Sequence, residues 1–501
     1  MPGRDAVASL RIARFNPAAR RIAAALAALA LAALGALSAP VPAAAQSQPG
    51  GEVKRPALQI GSLGRFNEDW SLLRGIDTTR TDDFWDRLKY IPLTDDQNVW
   101  LSLGGQARAR LEYFDQFQFG ASTPKRSDTY LLSRFRLNAD LHVTPYFRVF
   151  AEGRSALSTD RDLQGRNSPG FYDQADLLNG FADIVIPFAK EASLTLRGGR
   201  QELIFGSQRL VGPGDYTQIA RAFDGGAAIA RIADWSVTPF WAQSVIVDKY
   251  EFNQPTRKRK LFGVFGTGPA PLLPVNLDLY WLGVDNLGVA FNGTAGREER
   301  QTIGARASGK IGRSGFDFEV EAAGQFGHVG PGDVRAGMFT SVLGYTLPIE
   351  ELTPRLYFEF DYASGDNRAG GSVGTFNQLY PNGHAYLGYI DFIGRQNIIS
   401  PSAGVSLVPV RDLTLSLQQY LFWRASDRDA VYNKSGGVLR AGAASRARYI
   451  GAETDLLATY NFTRHLQGYA GYSFFASGGF IDKTGPDRNS NFFYGALQYT
   501  F

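Results

Sequence analysis

From Trp100 onward, apolar and polar side chains alternate with a period of two, the spacing of a strand with two unlike faces. Leu101, Leu103, Ala107, Ala109, Leu111 and Tyr113 fall on one face, and Ser102, Gln106, Arg108, Arg110 and Glu112 on the other. The next segment repeats the pattern, with Phe135, Leu137, Ala139, Leu141 and Val143 set against Arg134, Arg136, Asn138, Asp140 and His142. Farther along, Phe316, Phe318, Val320 and Ala322 oppose Asp317, Glu319 and Glu321. Leu356, Phe358, Phe360 and Tyr362 oppose Arg355, Tyr357, Glu359 and Asp361. Charges at alternate sites deep inside long strands require one wet face. The apolar face then needs either a second sheet or lipid to cover it.

Turn lengths separate those two cases. Eight tight connections are expected, near 144–145, 188–191, 233–234, 269–274, 312–315, 348–354, 409–411 and 461–464. Nine connections lie between them, most of them longer and polar: 115–127, 157–172, 203–220, 248–259, 287–298, 328–332, 365–395, 425–445 and 478–489. Short and long connections alternate, as in a barrel with short turns at one rim and long loops at the other. The predicted fold is therefore all-β, an 18-stranded antiparallel transmembrane β-barrel of porin-like type over residues 100–501, with both ends on the short-turn side. Its last strand sets Phe493, Gly495, Leu497, Tyr499 and Phe501 on one face against Tyr494 and Gln498. An outward Phe501 after alternating aromatics resembles the terminal strand of bacterial outer-membrane barrels, and that resemblance implies an engagement with barrel-assembly machinery.

Composition and charge sharpen this reading. Tyr and Phe number 22 and 35, more than a polar surface needs, and an amphipathic sheet explains the excess. The formal charge of +4 does not mark a nucleic-acid partner. Residues 1–45 hold Arg4, Arg11, Arg14, Arg20 and Arg21 against Asp5 alone, so removing five of 52 basic and one of 48 acidic residues leaves 47 of each. That segment has a basic stretch at 11–21, an apolar run at 22–37, Pro40 and Pro42, and Ala43-Ala44-Ala45 before Gln46. The apolar run is shorter than the roughly 20 residues of a spanning helix, so residues 1–45 are expected to be a cleaved secretory signal. Residues 46–99 do not alternate. They are expected to form a lead-in at the periplasmic side, with short helices at 67–73 and 82–90 and Asp82 as an N-cap. With no cysteine, thiolate metal sites and disulfides are excluded. The expected location is the outer membrane of a diderm bacterium, in contact with its lipids.

Several spaced stretches resemble the alginate-export family of outer-membrane barrels. They are Arg65-Phe66-Asn67-Glu68-Asp69-Trp70, Leu88-Lys89-Tyr90-Ile91, Gly199-Arg200-Gln201-Glu202-Leu203, and Gln208-Arg209-Leu210-Val211-Gly212-Pro213. Arg221-Ala222-Phe223-Asp224-Gly225, Tyr380-Pro381-Asn382-Gly383-His384 with Gly388 and Asp391, and Ile450-Gly451-Ala452-Glu453-Thr454-Asp455-Leu456 follow. The resemblance runs from about Arg65 to Phe501. It implies an 18-stranded barrel that conducts an anionic polysaccharide through a pore lined by arginines.

Parity places Arg108, Arg110, Arg134, Arg136, Arg148, Arg154, Arg197, Arg306, Lys310 and Arg355 on the wet face. The acidic set is Glu112, Asp140, Glu152, Asp224, Asp317, Glu319, Glu321, Glu359, Asp361, Glu453 and Asp455. The basic residues concentrate in the first five strands and the acidic ones in the eleventh, thirteenth and sixteenth, so a field is expected across the lumen. Arg200 and Arg209 join the candidate pore lining. The loop at 203–220, with Gly206, Gly212 and Gly214 around Arg209, is expected to fold inward and constrict the pore. Arginine forks suit a carboxylate-bearing solute. The expected function is a passive channel for an anionic or polar saccharide such as an alginate-like polyuronate, or a similar organic solute, needing no cofactor and no metal. The four histidines, His142, His328, His384 and His465, are scattered, which leaves a barrel enzyme of lipid-hydrolase type, built on His384 and Asp391, as a lesser alternative. A closed structural barrel is the third. Asp427, Asp429 and Asn433 have a loose calcium-loop spacing without its Gly and terminal Glu.

Overall fold

A computed structural model describes Arg55 and residues 64–501 apart from Leu272; the signal expected at 1–45 lies outside the described residues. Eighteen long strands form the wall. The first six are β1 (Val99–Asp115), β2 (Asp128–Val143), β3 (Phe147–Ser158), β4 (Asp173–Ala189), β5 (Ala192–Gln201) and β6 (Phe223–Ile232). Next come β7 (Trp235–Ile246), β8 (Gln254–Pro269), β9 (Asn276–Phe291), β10 (Thr294–Lys310), β11 (Phe316–Val329) and β12 (Gly332–Thr346). The wall finishes with β13 (Arg355–Ala363), β14 (Ile398–Val410), β15 (Leu413–Trp423), β16 (Tyr449–Asn461), β17 (Leu466–Ser477) and β18 (Ser490–Thr500). Each pairs antiparallel with its neighbours in chain order. β1 also pairs with β18, from Gln106↔Thr500 to Asp115↔Asn491, so the sheet closes on itself. Closure satisfies every strand edge, the condition for a sheet in hydrocarbon.

The two faces are as the alternation predicts. Phe135 and Leu137 on the outer wall of β2 are 52% and 67% exposed, while Arg134 and Arg136 between them are 0% and 5% exposed. The loop expected at 287–298 is instead almost all strand: β9 and β10 meet at a two-residue turn, Asn292-Gly293, with φ of 41° and 87°. Two left-handed residues in succession match the twist of a tight hairpin. The run Arg297-Glu298-Glu299-Arg300 hid the period, because Arg297 and Glu299 point out while Glu298 and Arg300 are buried inside.

The lead-in holds less helix than expected. Among its described residues two 3₁₀ turns, Arg65–Asn67 and Ser71–Leu73, and one helical turn, Asp86–Lys89, form, and Trp85 rather than Asp82 occupies the N-cap. Asp82 is drawn instead into an ion pair with Arg55. Phe66 enters the short-turn mouth, edge-on to Phe150 and Phe181 at 5.9 and 5.4 Å. Residues Ile91–Pro92 pair with β1 at Leu101 and Trp100, just below the point where β18 ends. Arg65 donates to the carbonyls of both Gly105 and Phe501, at 3.0 and 2.6 Å, and the Trp85 ring stacks on Phe501 at 4.0 Å. The lead-in thus clasps the β1–β18 junction. Among the described residues no helix is long and apolar enough to cross a membrane.

Candidate functional site

Between β5 and β6, residues 202–222 turn into the barrel and reach two walls that lie nearly opposite in the ring. At one end, Asp215 takes ion pairs from Arg136 at 2.7 Å and Arg134 at 3.2 Å. Its main-chain carbonyl accepts from Arg134 at 2.9 Å and Arg108 at 3.3 Å, and the carbonyl of Tyr216 accepts from Arg110 at 2.6 Å. Burial opposes the Asp215 charge, yet Arg134, Arg136 and Arg108 outweigh it and hold the carboxyl below the usual aspartate range. At the other end, Arg209 pairs with Glu319 and with Glu359, the latter at 2.9 Å, and Ser207 donates to Glu321 at 3.2 Å. The loop is a strut tied to the basic wall by an acid and to the acidic wall by a base.

A second inward loop, 364–397, braces the same acidic wall. The main-chain N–H groups of Ile390 and Tyr389 donate to Glu453 and Asp455 at 2.8 and 3.0 Å, and Arg395 pairs with Asp361. Gly388, at φ +86°, lets the backbone pass against the Glu453 carboxylate where a side chain would collide. The two loops touch, since the Tyr386 hydroxyl donates to the Ser207 carbonyl.

Most of the remaining predicted residues line the interior as ion pairs; Glu152 instead accepts from Asn179 at 2.8 Å, and Lys310 is exposed. Arg148 binds Asp140 at 2.7 Å and Arg197 binds Asp183 at 2.8 Å, with Phe66 of the lead-in against both arginines. Arg154 pairs with Asp173 at 2.6 Å, Arg200 with Asp224 at 2.7 Å, and Arg110 with Glu112 at 2.7 Å. Arg306 bridges Asp278 and Glu319, and Arg355 pairs with Asp317 at 2.6 Å. The charge imbalance expected between the arcs is corrected by three inward aspartates of β4, Asp173, Asp176 and Asp183, which neutralise the neighbouring arginines. Register shifts in the β3–β4 pairing break the alternation there and concealed Asp173 and Asp176. Asp183 and Asp278 follow the period and were readable. Asp215 and Arg395 sit in loops, where no period marks direction.

His384 and Asp391 do come together, at 3.2 Å, but the His ring lies between the faces of Tyr216 and Tyr389 and Asp391 is shared with Lys434. Burial lowers the His384 pKa despite Asp391, so the ring is a neutral stacking element near pH 7. Asp429 is consumed by Thr375, Tyr432 and the Asp366 N–H, which removes the calcium-loop reading of Asp427, Asp429 and Asn433. Among the described residues no cluster of acidic and histidine side chains is gathered for a metal.

The strut separates two cavities. One, of about 430 Å³, faces the short-turn end beside Phe66, Arg197 and Glu202; the other, of about 460 Å³, faces the long loops beside Arg110, Tyr216 and His384. A closed barrel with an apolar exterior and an ion-paired, loop-crossed interior defines a porin-like outer-membrane β-barrel. Residues 99–495 match the alginate export family, and the chain belongs to it. No curated relative matches the chain. Solved structures share the fold at low identity. OccAB2 of Acinetobacter baumannii is 12% identical, with a TM-score of 0.54 over 80% of this chain and 98% of its own. OpdK of Pseudomonas aeruginosa, solved with vanillate, is 10% identical, with a TM-score of 0.53 over 80% and 98%. OccK2 (OpdF) of Pseudomonas aeruginosa, in complex with glucuronate, is 11% identical, with a TM-score of 0.52 over 82% and 98%.

Proposed function

We propose that the barrel passes small carboxylate-bearing solutes, uronates and their short oligomers foremost, across the outer membrane by passive diffusion. The long loops then face outward, the lead-in lies at the periplasmic mouth, and lipid contacts the apolar wall. The observation that carries this reading is the row of inward arginines on β1 to β5, from Arg108 to Arg200, built into a wall whose other face is apolar. Guanidinium forks exchange one carboxylate partner for another at little geometric cost, so such a wall offers successive sites to an anion. The glucuronate complex of OccK2 supports the same solute class on a similar barrel.

Planar-bilayer recording tests it. Single channels should open, prefer anions, and be blocked by oligouronates more strongly than by neutral oligosaccharides, with block fading as salt screens the wall. A closed structural barrel is the competing reading, favoured by the strut and brace that fill the interior. Absence of conductance, or equal block by charged and neutral sugars, would decide for it.

A further inference from the structure

The cavity at the long-loop end contains charges that the ion-pair network leaves uncompensated. Five loops converge on it, and among its lining cations Arg110 is paired with Glu112 and Lys434 with Asp391. Arg161 and Arg221 differ: their hydrogen bonds go to main-chain carbonyls. Arg161 donates to Gln164 and Arg166 at 3.1 and 3.2 Å, and Arg221 donates to Gly212 and Tyr380, both at 2.8 Å. Arg161 is 2% exposed, and its Nε has no partner. Carbonyl dipoles solvate a guanidinium but do not cancel its charge, so this end of the lumen holds two positive charges awaiting an anion.

The surroundings of Arg161 specify the rest of that anion. Its guanidinium lies over the rings of Phe171, Tyr130 and Phe117, at 4.2, 5.2 and 5.3 Å. Rings occupy the faces of the guanidinium and main-chain carbonyls take Nη1, which leaves the Nε edge to pair with a carboxylate. The Tyr130 hydroxyl is already donated to Glu112 at 2.7 Å. A sugar placed here would bring several hydroxyls to a wall of phenyl faces, whereas an arene needs only those faces. We infer that this cavity is a binding site for a small aromatic carboxylate, its carboxylate on Arg161 and Arg221 and its ring among Phe117, Phe171 and Tyr130. The volume of about 460 Å³ falls within the range of small-molecule sites. The inference rests on the channel reading, and adds to its solutes one class that this cavity, as distinct from the arginine wall, would hold.

Calorimetry on the full folded barrel in detergent tests it, with benzoate as the probe and benzyl alcohol, cyclohexanecarboxylate and glucuronate as comparisons. Benzoate should bind, benzyl alcohol should not, and cyclohexanecarboxylate and glucuronate should bind more weakly. Arg161→Gln should weaken benzoate by about 10- to 100-fold, the worth of a hydrogen bond to a charged group. If Arg161→Gln fails to give heat-modifiable protein, Phe171→Ala serves, and should weaken benzoate more than glucuronate. No benzoate binding by the wild type, glucuronate bound as tightly as benzoate, or benzoate affinity unmoved in a folded variant would overturn the site. Bilayer conductance of the wild type keeps the two proposals apart. A barrel that conducts without binding benzoate keeps the channel and loses the site, and one that binds benzoate without conducting keeps the site and loses the channel.

Discussion

Asp215→Asn is the sharpest probe of the strut. The carboxylate holds Arg134 and Arg136 by direct ion pairs, and the turn it anchors presents the carbonyls that hold Arg108 and Arg110. An asparagine keeps the shape and one acceptor oxygen but removes the charge, leaving guanidiniums that are 4%, 0% and 5% exposed at Arg108, Arg134 and Arg136 without that counterion. Removing one partner of a buried ion pair costs about 3–5 kcal/mol. At about 1.4 kcal/mol per tenfold, that shifts the docked-to-undocked equilibrium of the loop by on the order of 10²- to 10³-fold. The Arg209 end, held by Glu319 and Glu359, stays fastened, so the loop should swing rather than leave. Single-channel recording should show larger conductance with more frequent transitions, and a reversal potential moved further toward anions because the freed guanidiniums face the lumen. Asp215→Glu should restore part of the wild-type behaviour. If D215N kept wild-type conductance, gating and selectivity, the loop would not be the constriction and this electrostatic account of it would be wrong.

Three further outcomes are expected. Cysteine introduced at Ser435, exposed in the 424–448 loop, should be labelled from outside intact cells while cysteine at Val410, the last residue of β14 before the short turn to β15, should not; the reverse pattern would invert the topology. Phe501→Asp should lower the yield of heat-modifiable barrel, since it removes the stack on Trp85, worth about 0.5–1.5 kcal/mol, and puts a charge at the wall; unchanged yield would argue against any role of that ring in assembly. Burial, with Arg65 adding to it, pulls the Lys89 ammonium down to about 7, below its unfolded value of about 10.4. The docked lead-in therefore binds fewer protons than the free one between those values, so its protection from proteolysis should rise from about pH 7 to about pH 10, and Lys89→Met should abolish the rise.

The barrel was legible because a lipid-facing sheet must obey one rule everywhere: odd positions meet hydrocarbon and even ones meet water, or the reverse. Leu101 to Tyr113 and Phe316 to Ala322 show it without interruption, and the turns could be counted between such runs. It faded where charges stood on both faces, as at Arg297 to Arg300, or where a register shift moved Asp176 relative to Asp183. The inward fold of loop 203–220 was foreseeable from its glycines. Its partners were not, because the distance from Asp215 to Arg134 is set by closure of the whole ring and no local spacing encodes it. For the same reason the arginines were readable as inward but not as occupied.

The clasp on the junction of β1 and β18 has a consequence for the order of events during folding. Arg65 and Phe501 are separated by 436 positions, and the site that Arg65 fills, between the carbonyls of Gly105 and Phe501, exists only once β18 lies against β1. Loop closure over so long a stretch is slow and entropically costly until neighbouring pairs have formed. The earliest described residues of the chain must therefore stay undocked while seventeen strands assemble, and settle after the eighteenth. Docking of Trp85 and Arg65 is in effect a completion mark: a barrel whose wall is one strand short has nowhere to put them.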